Sequence, residues 1–288
     1  MSLPGLVLVA LFMYLPMFGL ILAFKNYKAS LGFWGSEWVG FKNFEFFFKS
    51  DTLWRLLRNT VGLNLLFLVC NTIITVVLAL LLYEVTSRRA IRGYQTIIFL
   101  PFVISWVAAS YALYANISDV NGIVNGILKF FGKDPIMWYQ KPKYWSVILL
   151  ICYLWKNIGY GMIVYYGNLV SIDKSYYEAA KLDGATRFQM ARYISIPYIK
   201  PIVIMFFILS LGRVFSADFG LFYYMTKDSS LLYQATDVID TYVYRALTGS
   251  GNVGMSTAIG LFQSVVGLII LLISNKLAKK FSDGGAVF

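Results

Sequence analysis

Apolar runs of about 20 residues recur along this whole chain, and no other feature limits its fold so strongly. A helix of that length crosses the hydrocarbon layer of a bilayer, which is about 30 Å thick. Only 14% of the 288 residues are charged, whereas an average soluble domain has about 25%. The runs are continuous rather than alternating, which argues against a transmembrane β-barrel. The chain is therefore predicted to be an all-α polytopic membrane protein.

Six of these runs are predicted to be transmembrane helices. They cover about Leu3–Phe24, Asn59–Tyr83, Tyr94–Asn116, Tyr144–Ser171, Tyr198–Tyr224 and Met255–Asn275. No low-complexity tract or long linker separates them, so residues 1–288 are predicted to form a single transmembrane domain. The chain enters its first run at Leu3 without a basic segment, and a cleaved signal peptide is not expected.

The orientation of the spans depends on the basic residues in the loops. Six spans place both termini on the same side of the membrane. Lys and Arg are divided almost evenly between the two sides, but the tight cluster of Arg88, Arg89 and Arg92 favours the cytoplasm for its side. Both termini are then expected in the cytoplasm. The net charge of +11 is attributed to loops near lipid headgroups rather than to nucleic-acid binding.

The residues that most enzymes depend on are scarce. The chain has no histidine, which removes the commonest general base and metal ligand. Cys70 and Cys152 both lie inside apolar runs and are interpreted as packing residues. No Gly-x-x-x-x-Gly-Lys-Ser/Thr motif is present, so the chain has no phosphate loop of its own for ATP. We expect no catalytic residue, metal site or bound cofactor in this chain.

A polar, amphipathic loop at about 172–197 separates the fourth and fifth spans. Ser175 is predicted to cap a helix, with Glu178 completing a capping box. Gly184 is expected to allow a bend before a second short helix, and Pro197 to stand where the next span begins. A helix resting on lipid headgroups is the alternative. It explains the basic residues of the loop but not the pair Ala179-Ala180.

The order Glu178-Ala179-Ala180, Gly184, Ile196, Pro197 resembles the loop by which membrane subunits of binding-protein-dependent ABC importers grip their ATPase. The rest of the chain is similar to the carbohydrate-type importers, in the branch of oligosaccharide and polysaccharide permeases. Further matches lie at Tyr14–Gly19, Trp38–Phe41, Leu100-Pro101 and Trp155–Gly159. Two features depart from the family: the basic tail before the first span is missing, and the ending Gly284–Phe288 is unusual.

The resemblance implies a type I permease fold and a defined set of partners. The partners would be a second, different permease subunit, two ATPase subunits that hold ATP and Mg, and an extracellular solute-binding protein. The cargo would be a sugar or oligosaccharide. The residues implied in coupling to the ATPase are Glu178, Ala179, Ala180, Asp183, Gly184, Arg187, Ile196 and Pro197.

Polar and aromatic residues inside the spans are candidates for the sugar path, because polar groups are costly in a membrane. These candidates are Asn64, Asn157, Tyr160, Tyr165, Phe215, Asp218 and Phe219. The alternatives are interhelical hydrogen bonds and ordinary packing. Ser216, Ala217 and Gly220 suggest a locally broken fifth helix, in which Arg213 and Asp218 would pair with each other or with a partner. Aromatic residues between 25 and 58 are interpreted as a partly helical layer at the outer membrane boundary, with a sugar path as the alternative.

A stand-alone ion-coupled secondary transporter is the competing function. It would need inverted repeats and buried carboxylates. No repeat is evident, and Asp218 is the only acidic residue well inside a predicted span. An intramembrane enzyme has less support, since the chain shows neither paired carboxylates nor a nucleophile motif.

Overall fold

The computed structural model describes residues 3–49, 52–119 and 121–281, and the predictions about the two chain ends lie partly outside this range. In chain order the α-helices are α1 Leu3–Val9, α2 Gly32–Gly35, α3 Lys42–Phe48, α4 Thr52–Tyr83, α5 Arg88–Val103, α6 Trp106–Ile117, α7 Ile123–Phe130, α8 Trp145–Val170, α9 Lys174–Leu182, α10 Arg187–Met190, α11 Ile196–Leu211, α12 Phe219–Thr226, α13 Tyr233–Thr236, α14 Ile239–Ser250 and α15 Val253–Phe281. The 3₁₀ helices are Leu15–Phe24, Trp138–Gln140, Pro142–Tyr144 and Ser230–Leu232, and π-helical turns cover Ala10–Tyr14 and Ala191–Ser195. The strands β1 Lys25–Asn26 and β2 Glu37–Trp38 pair antiparallel.

In the described part of the chain, five continuous helical stretches are long and apolar enough to cross a membrane, and the total is six if the bent pair α5–α6 forms one span. The five are Leu3–Phe24, Thr52–Tyr83, Pro142–Val170, Arg187–Leu211 and Val253–Lys276. The predicted all-α fold is confirmed. The predicted third span, about Tyr94–Asn116, is not one continuous helix, because α5 and α6 meet at an angle of 101°.

The break in the third span is stabilised both by local residues and by a side chain from another helix. Pro101 lies in the last turn of α5, and the extended conformation of Ile104 ends that helix. The Ser105 hydroxyl then accepts a hydrogen bond from the Ala108 N–H (3.2 Å), which caps α6. Lys156 of α8 donates its ammonium protons to the carbonyl of Phe102 (3.0 Å) and to that of Ile104. A cation therefore satisfies the free carbonyls at the end of α5.

The predicted fifth span, Tyr198–Tyr224, is wrong at both ends. The helix begins at Arg187 in the loop and ends at Leu211, and α12 begins separately at Phe219. The predicted local break is confirmed, and it lies between these two helices. Gly220 has a different role from the one expected. It lies within α12, where a Cβ atom would stand 2.3 Å from the Trp106 ring, so it allows α12 to pack closely on α6.

The core consists of apolar clusters along α4 and α8, which pack against each other. Phe67 of α4 stacks on Tyr153 of α8, with ring centroids 4.8 Å apart. Toward the loop at 172–197, Leu82, Leu169 and Ile199 are buried together. These contacts hold the base of that loop against three spans.

The opposite end is held by a buried ionic network. The carboxylate of Asp237 is almost fully buried and receives Arg55 (3.1 Å) and Arg245. Arg245 also pairs with Asp228 at 2.7 Å. Two cations around one buried carboxylate offset the cost of removing its charge from water. The network fixes the beginning of α4 to α13 and α14.

The segment from 25 to 58 is partly helical, as predicted. The Phe24 ring packs against Trp38 (5.7 Å), Phe41 (5.4 Å) and Phe44 (5.5 Å), measured between ring centroids. The side chain of Asn43 donates to the Ala23 carbonyl at 2.8 Å. The place of this aromatic layer at the membrane boundary stays a prediction.

Candidate functional site

The loop between the fourth and fifth spans begins with the capped helix α9. The Asp173 carboxylate accepts a hydrogen bond from the Ser175 N–H at 2.9 Å, so the predicted cap at Ser175 is wrong. Ser175 lies in the first turn of α9 because Asp173 already occupies the cap position. The same hydrogen bond holds the pKa of Asp173 below its usual range. The helix is thus stabilised at its beginning by a charge that complements the helix dipole.

The end of α9 is a Schellman turn centred on Gly184. The Ala185 N–H donates to the Ala180 carbonyl (2.9 Å), and the Gly184 N–H to the Lys181 carbonyl (3.1 Å). Gly184 has φ +76°, a conformation that L-residues rarely adopt. The predicted bend is confirmed, and its geometry explains why glycine stands at this position.

The second helix of the loop is continuous with the fifth span. Thr186 and Gln189 form a reciprocal capping box, in which the Thr186 N–H donates to the Gln189 amide oxygen at 2.7 Å. The helix then runs from Arg187 to Leu211 with a π-helical turn at Ala191–Ser195. Pro197 follows that turn and has no N–H to donate to it. Any displacement of Arg187 is therefore carried by one helix into the membrane.

Side chains anchor the inner face of the loop to the spans. The Tyr177 hydroxyl hydrogen-bonds the Ser195 hydroxyl at 2.8 Å, which ties α9 to the π-helical turn. The Arg187 guanidinium lies 3.5 Å from the Glu84 carboxylate just after the end of α4. Met190 is buried beneath the loop. The loop is thus a braced unit rather than a free segment.

The outer face of the loop exposes large apolar side chains. Leu182 is 90% exposed and Phe188 is 73% exposed, although both stand among charged residues. The predicted coupling residues Glu178, Ala179, Asp183, Gly184, Arg187, Ile196 and Pro197 are also exposed, and Ala180 is half-buried. Exposed apolar groups on a rigid, polar protrusion are typical of a surface that another protein covers.

A second candidate site lies at the break in the fifth span, where side chains bind the unwound backbone. Asn64 of α4 donates to the Val214 carbonyl at 2.8 Å. Gln263 of α15 donates to the Phe215 carbonyl at 2.6 Å, and the Asp240 carboxylate accepts from the Ala217 N–H at 2.7 Å. Backbone groups without a helix need such partners inside a membrane protein.

Two cavities adjoin this break. The smaller, about 400 Å³, is lined by Asn64, Asn157, Arg213 and Asp218 among others. The larger, about 840 Å³, is lined by Tyr160, Arg213 and Gln263 among others. Unwound helix beside a polar cavity is where many transporters hold their solutes.

The remaining path candidates lie away from the cavity linings. Tyr165 is buried and packs against Phe206. Phe219 stacks on Tyr223, with centroids 4.9 Å apart. Phe215 contributes its carbonyl to Gln263, while its ring packs near Phe262.

Asp218 has partners other than Arg213. Its carboxylate accepts a hydrogen bond from the Trp106 indole N–H at 2.7 Å and caps α12 through the Leu221 N–H. Among the described residues it forms no ion pair with Arg213, so that alternative is wrong, and pairing of either side chain with a partner subunit stays a prediction. Gln263 and Asp240 were missed by the sequence reasoning. Only Gln263 carried a signal, as a polar residue inside the sixth apolar run.

The part of the chain that the structure describes holds no group of three or more His, Cys, Asp or Glu side chains arranged for a metal ion. The described residues therefore offer two candidate sites, the braced loop at 172–197 and the broken fifth span beside the two cavities.

Comparisons with known proteins show which family and fold the chain is similar to. The family model described as "Binding-protein-dependent transport system inner membrane component" matches residues 1–283. The chain is 34% identical over 285 residues to the polygalacturonan/rhamnogalacturonan transport system permease protein YteP of Bacillus subtilis (strain 168), covering 99% of this chain and 88% of that one. It is 37% identical over 282 residues to the protein LplB of the same organism, covering 98% and 88%.

A solved structure is similar over nearly the whole chain. It is the crystal structure of a bacterial alginate ABC transporter in complex with an alginate pentasaccharide-bound periplasmic protein. The TM-score is 0.89 at 32% sequence identity, covering 99% of this chain and 94% of that one.

Proposed function

The chain belongs to the family of inner membrane components of binding-protein-dependent transport systems, and we propose that it forms half of the path by which a sugar or oligosaccharide is imported. The family assignment favours this function over a stand-alone ion-coupled transporter. The family consists of transport proteins rather than enzymes. The saccharide cargo is supported by the names of the similar proteins, which include a polygalacturonan transport permease and an alginate importer.

The observation that carries this proposal is the braced loop with its exposed apolar tip. A soluble ATPase subunit would cover Leu182 and Phe188 and would contact Glu178, Ala179 and Asp183. ATP and Mg would be held by that partner. Because the loop lies on the side of Arg88, Arg89 and Arg92, both chain termini would be cytoplasmic.

The mechanism follows from the continuity of one helix. Closure of the ATPase pair on ATP would move α9 and the Gly184 turn. The helix Arg187–Leu211 would pass this displacement to the break after Leu211, where the two cavities lie. A second, different permease subunit would complete the path, and an extracellular solute-binding protein would deliver the cargo. The structure of the alginate importer with its periplasmic protein supports that last partner. Residues 1–288 would act as one permease domain.

The docking surface is tested by a charge placed at its tip. Leu182→Asp is expected to lower recovery of the ATPase subunit with the purified permease roughly tenfold, because a buried leucine contributes about 1.5–3 kcal/mol. Phe130→Asp is the matched control, since Phe130 is 85% exposed but lies at the end of α7, outside the loop. Equal recovery of the ATPase with both variants would remove the docking role.

A further inference from the structure

Arg213 stands at the junction of the two cavities beside the break in the fifth span. It lines both the 400 Å³ and the 840 Å³ cavity, just beyond the end of the helix at Leu211. Its side chain is exposed to them. Among the residues that the structure describes, no carboxylate oxygen lies within 4.0 Å of its guanidinium. An unpaired guanidinium at such a position is costly in a membrane protein and marks a functional site.

The other polar groups at this junction already have partners. Asn64 and Gln263 bind backbone carbonyls of the break. Asp218 accepts from Trp106 and caps α12, and the Ser216 hydroxyl donates to Asp240 at 3.4 Å. The guanidinium of Arg213 is thus available at this junction to bind an anion. A guanidinium presents a rigid fork of donors that matches a carboxylate in a bidentate pair.

We propose that Arg213 binds the carboxylate of an acidic saccharide as it passes through the cavities, so that the cargo is a uronate-containing oligosaccharide. This inference rests on the proposed saccharide path and names the chemical class of its cargo. Tyr160 and Phe206 line the larger cavity and offer aromatic faces to a pyranose ring, while Arg213 holds the acid group. A neutral sugar would leave the guanidinium without a counter-charge at this point of the path.

A pair of probes that differ in one charge tests the assignment. The full transporter complex in nanodiscs, without nucleotide, is titrated with trigalacturonate and with its methyl ester, and binding is followed by calorimetry. The wild type is expected to bind the free acid about tenfold more tightly, the factor that a hydrogen bond to a charged group supplies. Arg213→Gln should bind both probes with equal affinity. Lys129→Gln, which removes one positive charge on α7, should keep the wild-type preference.

Several results would overturn the proposal. The first is a wild type that binds the acid and the ester with equal affinity, or that binds neither probe. The second is an Arg213→Gln variant that still binds the acid more tightly than the ester. If Arg213 instead pairs with a carboxylate of the second permease, Arg213→Gln would weaken assembly of the complex, and that result also overturns the proposal. The titration without nucleotide measures cargo binding, whereas recovery of the ATPase subunit with the purified permease measures docking, so failure of ATPase docking and failure of the carboxylate site are distinguished.

Discussion

Lys156 shows how one residue can decide the shape of a span. Its position inside the fourth apolar run gave no indication of a partner, because its carbonyl acceptors lie on another helix some fifty residues earlier in the chain. In the structure its ammonium group binds the carbonyls at the end of α5 and lies 5.2 Å from the centroid of the Trp106 ring. Trp106 in turn donates to Asp218. One lysine thus connects the break in the third span to the break in the fifth.

Removing the Lys156 charge should destabilise the fold. Lys156→Met leaves the carbonyls of Phe102 and Ile104 without this donor, and a hydrogen bond to a charged group contributes about 1.5–3 kcal/mol. We expect a lower midpoint of thermal unfolding for the purified complex, measured by intrinsic fluorescence. Lys129→Gln serves as the control and should unfold at the same midpoint temperature as the wild type. An unchanged midpoint in Lys156→Met would show that the carbonyls find other partners.

At the scale of elements, sequence patterns predicted the helices better than their interruptions. The second span and the bend at Gly184 followed from hydropathy and from local turn chemistry. The 101° break between α5 and α6 did not, because it depends on Lys156 and on packing with α12. The unwound backbone in the fifth span is held by Gln263 and Asp240, which reach the break from distant elements. Interactions of that range leave no periodic trace in the chain.

The Schellman turn predicts that proline at position 184 disrupts coupling and that asparagine there is tolerated. Proline is locked near φ −65° and cannot adopt the observed +76°, whereas asparagine tolerates the left-handed region. Gly184→Pro should uncouple ATP hydrolysis from uptake in reconstituted vesicles, while Gly184→Asn should remain close to wild type. Normal uptake per ATP in the proline variant would contradict a rigid turn in the coupling path.

The helix α8 packs closely on α5 at Gly159. A Cβ atom on Gly159 would stand 2.3 Å from the Ile98 carbonyl oxygen, whereas one on Gly167 of the same helix would meet nothing within 4 Å. Gly159→Ala should therefore destabilise the protein by about 1–3 kcal/mol through overpacking. Gly167→Ala should have little effect. The comparison is made by unfolding in detergent, and equal midpoints would refute the close approach.

Considered as a whole, the molecule is a set of spans that leaves large apolar surfaces exposed when alone. Much of the first span is exposed, and the cavities lie beside the broken fifth span. Lipid and a second permease would cover these faces. The family could be inferred from the loop at 178–197, since its residue order is local. The choice of cargo could not, because it depends on a guanidinium whose surroundings come from several helices.

The most direct test of the account is a photo-crosslinker placed at the tip of the loop in intact membranes. A crosslinking amino acid at position 182 is expected to capture the ATPase subunit, and the yield should change when ATP is bound. The same group at position 130 should give no such product. Crosslinks from position 182 to lipid alone, or labelling of that position by a reagent confined to the outside of the cell, would contradict the assignment of the loop as the contact through which ATP moves the membrane spans.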